Sequence, residues 1–328
     1  MFKAVPRTAE LTEARVDLMV LPDDGIEPVL DAIKSAETSL DIVIFRFDLK
    51  AVERAMEAAV KRGVAVRALI AHTNSGGDKR LRQLELRMLE AGVTVSRTSG
   101  DLVRYHSKLI VVDKATLYVL GFNMTGIDLK SRSFGAICQD RRVVADALRL
   151  FDADSLRQDF EPSADALVVS PENAREQLAT FIKRAKKQLL IYDPKISDPQ
   201  MIRLLTQKAK AGLDIRVIGK IAKRCGTLKG QKCPGNRLHV RAIIRDGDAA
   251  FVGSQSLRAL ELDGRREVGL ISKDAKVVKR MLEVFEEDWA KTDVAKDAKD
   301  PKDTRDKDVP KAEKADKAEK EELVAAAR

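Results

Sequence analysis

Two kinds of apolar patterning alternate along the chain. In GIEPVLDAIKSAET (residues 25–38) and NAREQLATFIKRAKK (173–187), apolar residues recur at helical spacing, which predicts amphipathic helices. Each helix leads into a short apolar run, residues 40–45 and 189–192, that reads as a strand. A second helix follows, then a glycine and another strand, in VKRGVAVRALI around Gly63 and AKAGLDIRVIG around Gly212. The runs at 109–112 and 242–244 are short and wholly apolar, as central strands buried on both faces would be. A last amphipathic helix is expected over residues 275–290, with Trp289, the sole tryptophan, anchoring it to the core. Strands alternating with helices predict an α/β fold with helices on both faces of a sheet.

The order of elements occurs twice. Pro22 and Pro171, Ile33 and Ile182, Gly63 and Gly212, and Arg67 and Arg216 all keep one offset of 149 residues. Four landmarks sharing an offset argue for an internal duplication. An extra helix in the first copy, LRQLELRMLEAG, shortens the offset to 133 further along. The expected domains are 1–163 and 164–290, each a mixed β-sheet flanked by helices. Residues 291–328 are rich in Lys, Asp and Ala and carry no aromatic residue, so they form a disordered charged tail.

Composition narrows the function. The net charge is +9, and the tail from Lys291 onward holds eleven basic and eleven acidic residues, so the excess belongs to the folded body. A basic body suits an anionic partner: a phospholipid surface, a nucleic acid or a phosphorylated small molecule. No run is long and apolar enough for a membrane span, and the first residues lack a signal-peptide pattern, which points to the cytoplasm. The three cysteines, Cys138, Cys225 and Cys233, read as free thiols, and three histidines give no zinc-site spacing.

The chemistry concentrates in a repeated motif. The first copy has YHSKLIVVD, with His106, Lys108 and Asp113; the second has LHVRAIIRD, with His239, Arg241 and Asp246. Ten residues past each Asp a polar side chain follows a small-residue turn, Asn123 in LGFN and Ser256 in GSQS, where Ser254 also stands. Residues i and i+2 of a strand share a face, so each histidine points the same way as its cation. Joining the copies about a pseudo-twofold axis sets two imidazoles and two cations around one cavity. One imidazole attacks phosphorus and the other protonates the leaving oxygen, with no cofactor or metal. Asn123, Ser254 and Ser256 supply further phosphate contacts. Asp113 and Asp246 read as structural anchors of the strand ends.

These residues resemble the paired HKD motifs of the phospholipase D superfamily, which includes cardiolipin synthases and related nucleases. The resemblance covers about residues 17–290. It implies a two-step reaction through a phosphohistidine, with water or an alcohol as second acceptor, and two motifs in one chain resemble the lipid-acting members. The second motif departs from the family at Arg241 and Ser256, and the first reads LGFN rather than Gly-Ser-x-Asn. The family also places an acid downstream to orient a catalytic histidine. The second copy has it as Glu267, while the aligned position of the first is Ser133. Glu267 is expected to reach the histidine of the opposite copy, making His106 the nucleophile and His239 the acid.

The expected substrate is a phospholipid, met by peripheral contact with the membrane; a metal-independent nuclease and a non-catalytic phosphate-binding relative are the alternatives. The scarcity of aromatics argues against a base-stacking platform for nucleic acid. Residues 220–237, with Lys229 and Lys232, form a basic stretch expected to overhang the cavity as a lip.

Overall fold

The computed structural model describes residues 16–72, 78–222, 228–233 and 235–293. The first repeat runs β1 (Val16–Leu21), α1 (Glu27–Ser35), β2 (Ser39–Ile44), α2 (Lys50–Lys61), β3 (Ala65–Ile70), α3 (Asp78–Glu90), β4 (Thr94–Arg97), β5 (Arg104–Tyr105), β6 (Leu109–Val112), β7 (Thr116–Leu120), β8 (Ser133–Cys138) and α4 (Arg141–Leu156). The second runs β9 (Leu167–Ser170), α5 (Ala174–Lys183), β10 (Gln188–Ile196), α6 (Pro199–Lys210), β11 (Asp214–Ile221), β12 (Gly230–Gln231), β13 (Arg241–Arg245), β14 (Ala249–Gly253), α7 (Ala259–Asp263), β15 (Arg265–Ser272) and α8 (Ala275–Trp289). The extra helix of the first repeat is α3, and β4 follows it. The expected tail beyond residue 293 lies outside the described residues, as does Cys225; Cys138 and Cys233 are buried and free.

Each repeat builds one mixed sheet. The first has the order β1-β8-β7-β6-β2-β3-β4, and the second β12-β11-β10-β13-β14-β15 with β9 also on β15. Strands β2, β3 and β4 are parallel and the rest of that sheet is antiparallel. The apolar face of α1 and α2 covers one side of the first sheet, and α5 and α6 cover the matching side of the second. The other faces share one core that draws on both repeats and on α4 and α8. Phe285 and Trp289 of α8 stack with ring centroids 5.9 Å apart, and Phe285 meets Tyr192 of β10 edge-on at 5.0 Å. That shared core fixes the two sheets against each other.

The motif aspartates close the hairpins next to the site. Asp113 and Lys114 have φ of 51° and 54°, and Asp246 and Gly247 have 53° and 71°. Positive φ at both central residues makes a primed turn, which matches strand twist. The Asp113 carboxylate accepts from the backbone N–H groups of Glu37, Thr38 and Ser39, and Asp246 from those of Lys186, Lys187 and Gln188. Each ties the start of a central strand to the end of the motif strand. Asp246→Ala removes a charged acceptor and puts at positive φ a residue without the short polar side chain that eases that conformation. It should cost about 2 kcal/mol and lower Tm by about 4–8 °C in thermal unfolding. An unchanged Tm would remove the anchoring role.

Candidate functional site

Each motif histidine lies just before the apolar strand rather than inside it. The segment carrying each one is paired to the opposite repeat. Strand β5 belongs to the first repeat by sequence, yet it runs parallel to β15 of the second, with Arg104 opposite Arg265 and Tyr105 opposite Arg266. The His106 N–H continues this ladder onto the Arg266 carbonyl at 2.8 Å. In the second copy Leu238 bridges to Arg132, and the His239 N–H donates to the Arg132 carbonyl at 3.0 Å. Each histidine is therefore paired to the residue just before Glu267 or Ser133 on the other repeat's last strand.

The consequence differs between the two sides. His106 Nδ1 lies 2.9 Å from both oxygens of Glu267, which is fully buried. Ser133 is too short for the matching task, and its hydroxyl donates to the His239 backbone carbonyl at 2.9 Å. The carboxylate beside His239 is instead Asp128, whose Oδ1 is 2.8 Å from Nδ1, with the ring turned off the ideal hydrogen-bond direction. Asp128 also accepts from the Asn123 N–H and amide, the Thr125 hydroxyl and Arg237 Nη1. Sequence reasoning passed over Asp128 because the aligned position was Ser133. A signal existed: Asp128 stands five residues past Asn123, as Glu261 stands five past Ser256.

The cations complete the arrangement. Lys108 Nζ is buried 2.9 Å from His106 Nε2 and donates to the His106 carbonyl. Arg241 is buried, and its nearest carboxylate oxygen, on Glu261, is 3.7 Å from Nε; Nε and Nη1 have no hydrogen-bond partner. The Ser256 hydroxyl lies against the buried Asp193 carboxylate, and its N–H donates to Glu261 at 2.7 Å. Buried donors are nearly always satisfied, so the open nitrogens of Arg241 point to a ligand. The Ser254 hydroxyl is 3.3 Å from the Val268 carbonyl and also hydrogen-bonds the Glu267 carboxylate. Lys229 and Lys232 are exposed beside β12. Among the described residues of that stretch, Arg237 reaches the site, 2.8 Å from Asp128.

Burial governs the protonation states. It drives the His106 imidazole well below its usual pKa, helped by Lys108 and Arg241 from opposite motifs. His239 is pushed down to about 4 by burial, against the pull of Asp128. The Lys108 ammonium is lowered to about 7, chiefly by burial, and Glu267 is raised for the same reason. Burial acts upward on Asp128 too, but His239, Asn123 and Arg237 outweigh it and hold the carboxyl far below the ordinary range. A neutral imidazole whose Nδ1–H faces a carboxylate presents an Nε2 lone pair, and two buried cations beside it suit an anionic electrophile.

The family model described as cardiolipin synthase, PLD-like domain matches residues 29–155 and 178–289. No curated protein sequence matches the chain. Among solved structures, the fold resembles a phosphatidylserine synthase from Haemophilus influenzae Rd KW20, with TM-score 0.65 and 11% identity over 87% of each chain. It also resembles a polyphosphate kinase from Porphyromonas gingivalis, with TM-score 0.70 and 16% identity over 83% of this chain and 46% of that one. Likeness at such identity speaks to fold alone. The match of the family model to both repeats goes further: this chain is a member of the phospholipase D-like family that includes cardiolipin synthase.

Proposed function

We propose that the chain cleaves phosphodiesters without a metal, through a phosphohistidine on His106, and that its substrate is a phospholipid. The observation that carries this is the His106–Glu267 contact across the repeats, with Nε2 left beside Lys108 and the unpartnered donors of Arg241. In the first step Nε2 attacks phosphorus, the bond to the leaving oxygen breaks, and His239 gives that oxygen its proton. In the second, water or an alcohol gives a proton to His239 and attacks phosphorus, and the N–P bond breaks. Lys108, Arg241, Asn123 and Ser256 hold the phosphoryl oxygens as charge develops.

The lipid reading is supported by the family model's description and by the low aromatic content. No helix among the described residues is long and apolar enough to cross a membrane, so substrate would be met by peripheral contact, on the cytoplasmic side in this reading. The test is one assay: EDTA-treated protein offered mixed phospholipid vesicles in parallel with labelled single- and double-stranded nucleic acid. Headgroup release undiminished by EDTA is the expected result. Cleavage of nucleic acid alone would replace the lipid with a polynucleotide, and activity restored only by a divalent ion would overturn the mechanism. No turnover of any diester would leave a phosphate-binding relative.

Asp128 is a positioning residue in this scheme, acting through His239. Asp128→Asn should lower kcat by at least about 10- to 100-fold for an alkoxide leaving group, the range seen when a metal-bound histidine loses its orienting partner. The loss should shrink for nitrophenolate, which leaves without a proton. Equal losses on both leaving groups would show that Asp128 merely supports the fold.

A further inference from the structure

Two arginines repeat with the motif and neither attacks, protonates nor holds the reacting phosphate in the scheme above. Arg104 stands two residues before His106 and Arg237 two before His239, so each copy reads Arg-x-His-x-[Lys/Arg] at the 133-residue offset. In an extended segment those alternate positions share a face. Both segments are extended and paired to the opposite repeat, Arg104 opposite Arg265 and the Arg237 carbonyl accepting from the Arg132 N–H at 3.0 Å. The arginines therefore flank the two histidines on the outer side, one on each half of the site.

Their surroundings agree. The Phe45 ring stands edge-on to His106 with centroids 4.5 Å apart. The Arg104 guanidinium carbon lies 5.7 Å from the same ring, and that of Arg46, an exposed residue, lies 5.6 Å from it. On the other half, Arg237 Nη1 is 2.8 Å from Asp128, itself beside His239, and its side chain is 47% exposed. A diester carries one negative charge, and the buried Lys108 and Arg241 already meet it. Further cations two residues from each histidine are placed for charge one link further along the substrate.

We propose that Arg104, with Arg46, and Arg237 form paired anion subsites on either side of the reacting phosphate, so that the preferred substrate bears a second phosphate next to the one cleaved. This deepens the phosphodiesterase reading and rests on it. The second phosphate can belong to a lipid headgroup or to a nucleotide chain, and the two sources are separated by experiment. One arm compares the p-nitrophenyl 5′-phosphodiester of thymidine with and without a 3′-phosphate. The other compares phosphatidylglycerol phosphate with phosphatidylglycerol in mixed micelles. The phosphate-bearing member of at least one pair should have a KM about 10-fold lower at low salt, and the advantage should fade as salt rises. Arg104→Gln should abolish most of it and leave kcat/KM for bis(p-nitrophenyl) phosphate within about twofold. Arg237→Gln should reduce it on the same pair; its effect is read in the KM ratio, because Arg237 also touches Asp128.

Binding supplies a readout that needs no turnover. Thymidine 3′,5′-bisphosphate should bind wild type about 10-fold more tightly than thymidine 5′-monophosphate, and Arg104→Gln should bring the two together. No preference in either arm or in binding, or a preference that survives both substitutions, would overturn the subsites. A protein that prefers the bisphosphate in binding yet cleaves no diester would leave the subsites standing and remove the enzymatic reading instead.

Discussion

His106→Ala should abolish turnover and covalent labelling together, while His239→Ala should keep the label whenever the leaving group is good. The asymmetry follows from the carboxylates. Both oxygens of Glu267 lie 2.9 Å from His106 Nδ1, an arrangement that would fix the tautomer needed for attack through Nε2 in the proposed scheme. His239 has Asp128, a carboxylate that accepts from Asn123, Thr125 and Arg237, is held ionised, and is therefore able to stabilise an imidazolium. With a nitrophenyl diester, His239→Ala should lose about 10-fold or less in the first step and accumulate acid-labile, base-stable phosphoryl label after a rapid quench. With an alkoxide leaving group it should lose about 1,000-fold, the general-acid contribution. His106→Ala should lose more than about 10,000-fold with either, because no nucleophile remains. Label that persists in His106→Ala and vanishes in His239→Ala would exchange the roles.

The free site does not hold His239 in the protonated form an acid requires, because burial brings it to about 4. The diester supplies what is missing. Its negative charge enters beside the ring and joins Asp128 in favouring the imidazolium. Nitrogen-15 NMR of the free protein at pH 7 should therefore show both motif imidazoles neutral. Added orthovanadate should protonate His239 and leave His106 neutral.

Much of this arrangement is legible in the sequence wherever it is repeated. His106 and His239 stand out because they sit at matched places, and Asp113 and Asp246 because both copies need the same turn and the same three backbone donors caught. What is not repeated is harder to read. Strand β5 is two residues long, and its partner lies in the other repeat, so no local periodicity announces it. Without that exchange the reach of Glu267 to His106 follows only from family resemblance. Asp128 is hidden for a different reason. It stands beside His239 in a short 3-10 turn, Asp128–Lys130, rather than at the strand position of Ser133, and an alignment of strand positions does not look there. Ser254 follows the motif position, and its hydroxyl lies against the Val268 carbonyl and the Glu267 carboxylate that faces His106.

Lys108→Met should make the protein more stable and inactive. Lys108 is 2% exposed, and burial lowers its ammonium from 10.5 to about 7 despite Glu267, Asp128 and Glu261 nearby. The neighbouring carboxylates thus fail to offset the cost of taking this charge out of water. Met fills the same volume without the charge, and such replacements of buried ions commonly stabilise by about 1–4 kcal/mol. For a body of this size that is a rise in Tm of about 2–15 °C. Glu267, already raised by burial, can take up a proton once Lys108 is gone, so no uncompensated anion is stranded. The pH dependence carries the sign. A lysine whose folded pKa lies below its unfolded value destabilises the fold in full below about 7, and the penalty fades as pH rises toward 10.5. The Tm advantage of Lys108→Met should accordingly be greatest at pH 6–7 and shrink steadily at pH 8, 9 and 10. Activity should fall by at least about 1,000-fold, because the cation against the phosphoryl oxygens is lost. A variant that melts below wild type at pH 7, or whose advantage grows with pH, would show that Lys108 is held by its carboxylates and serves the fold as much as the reaction.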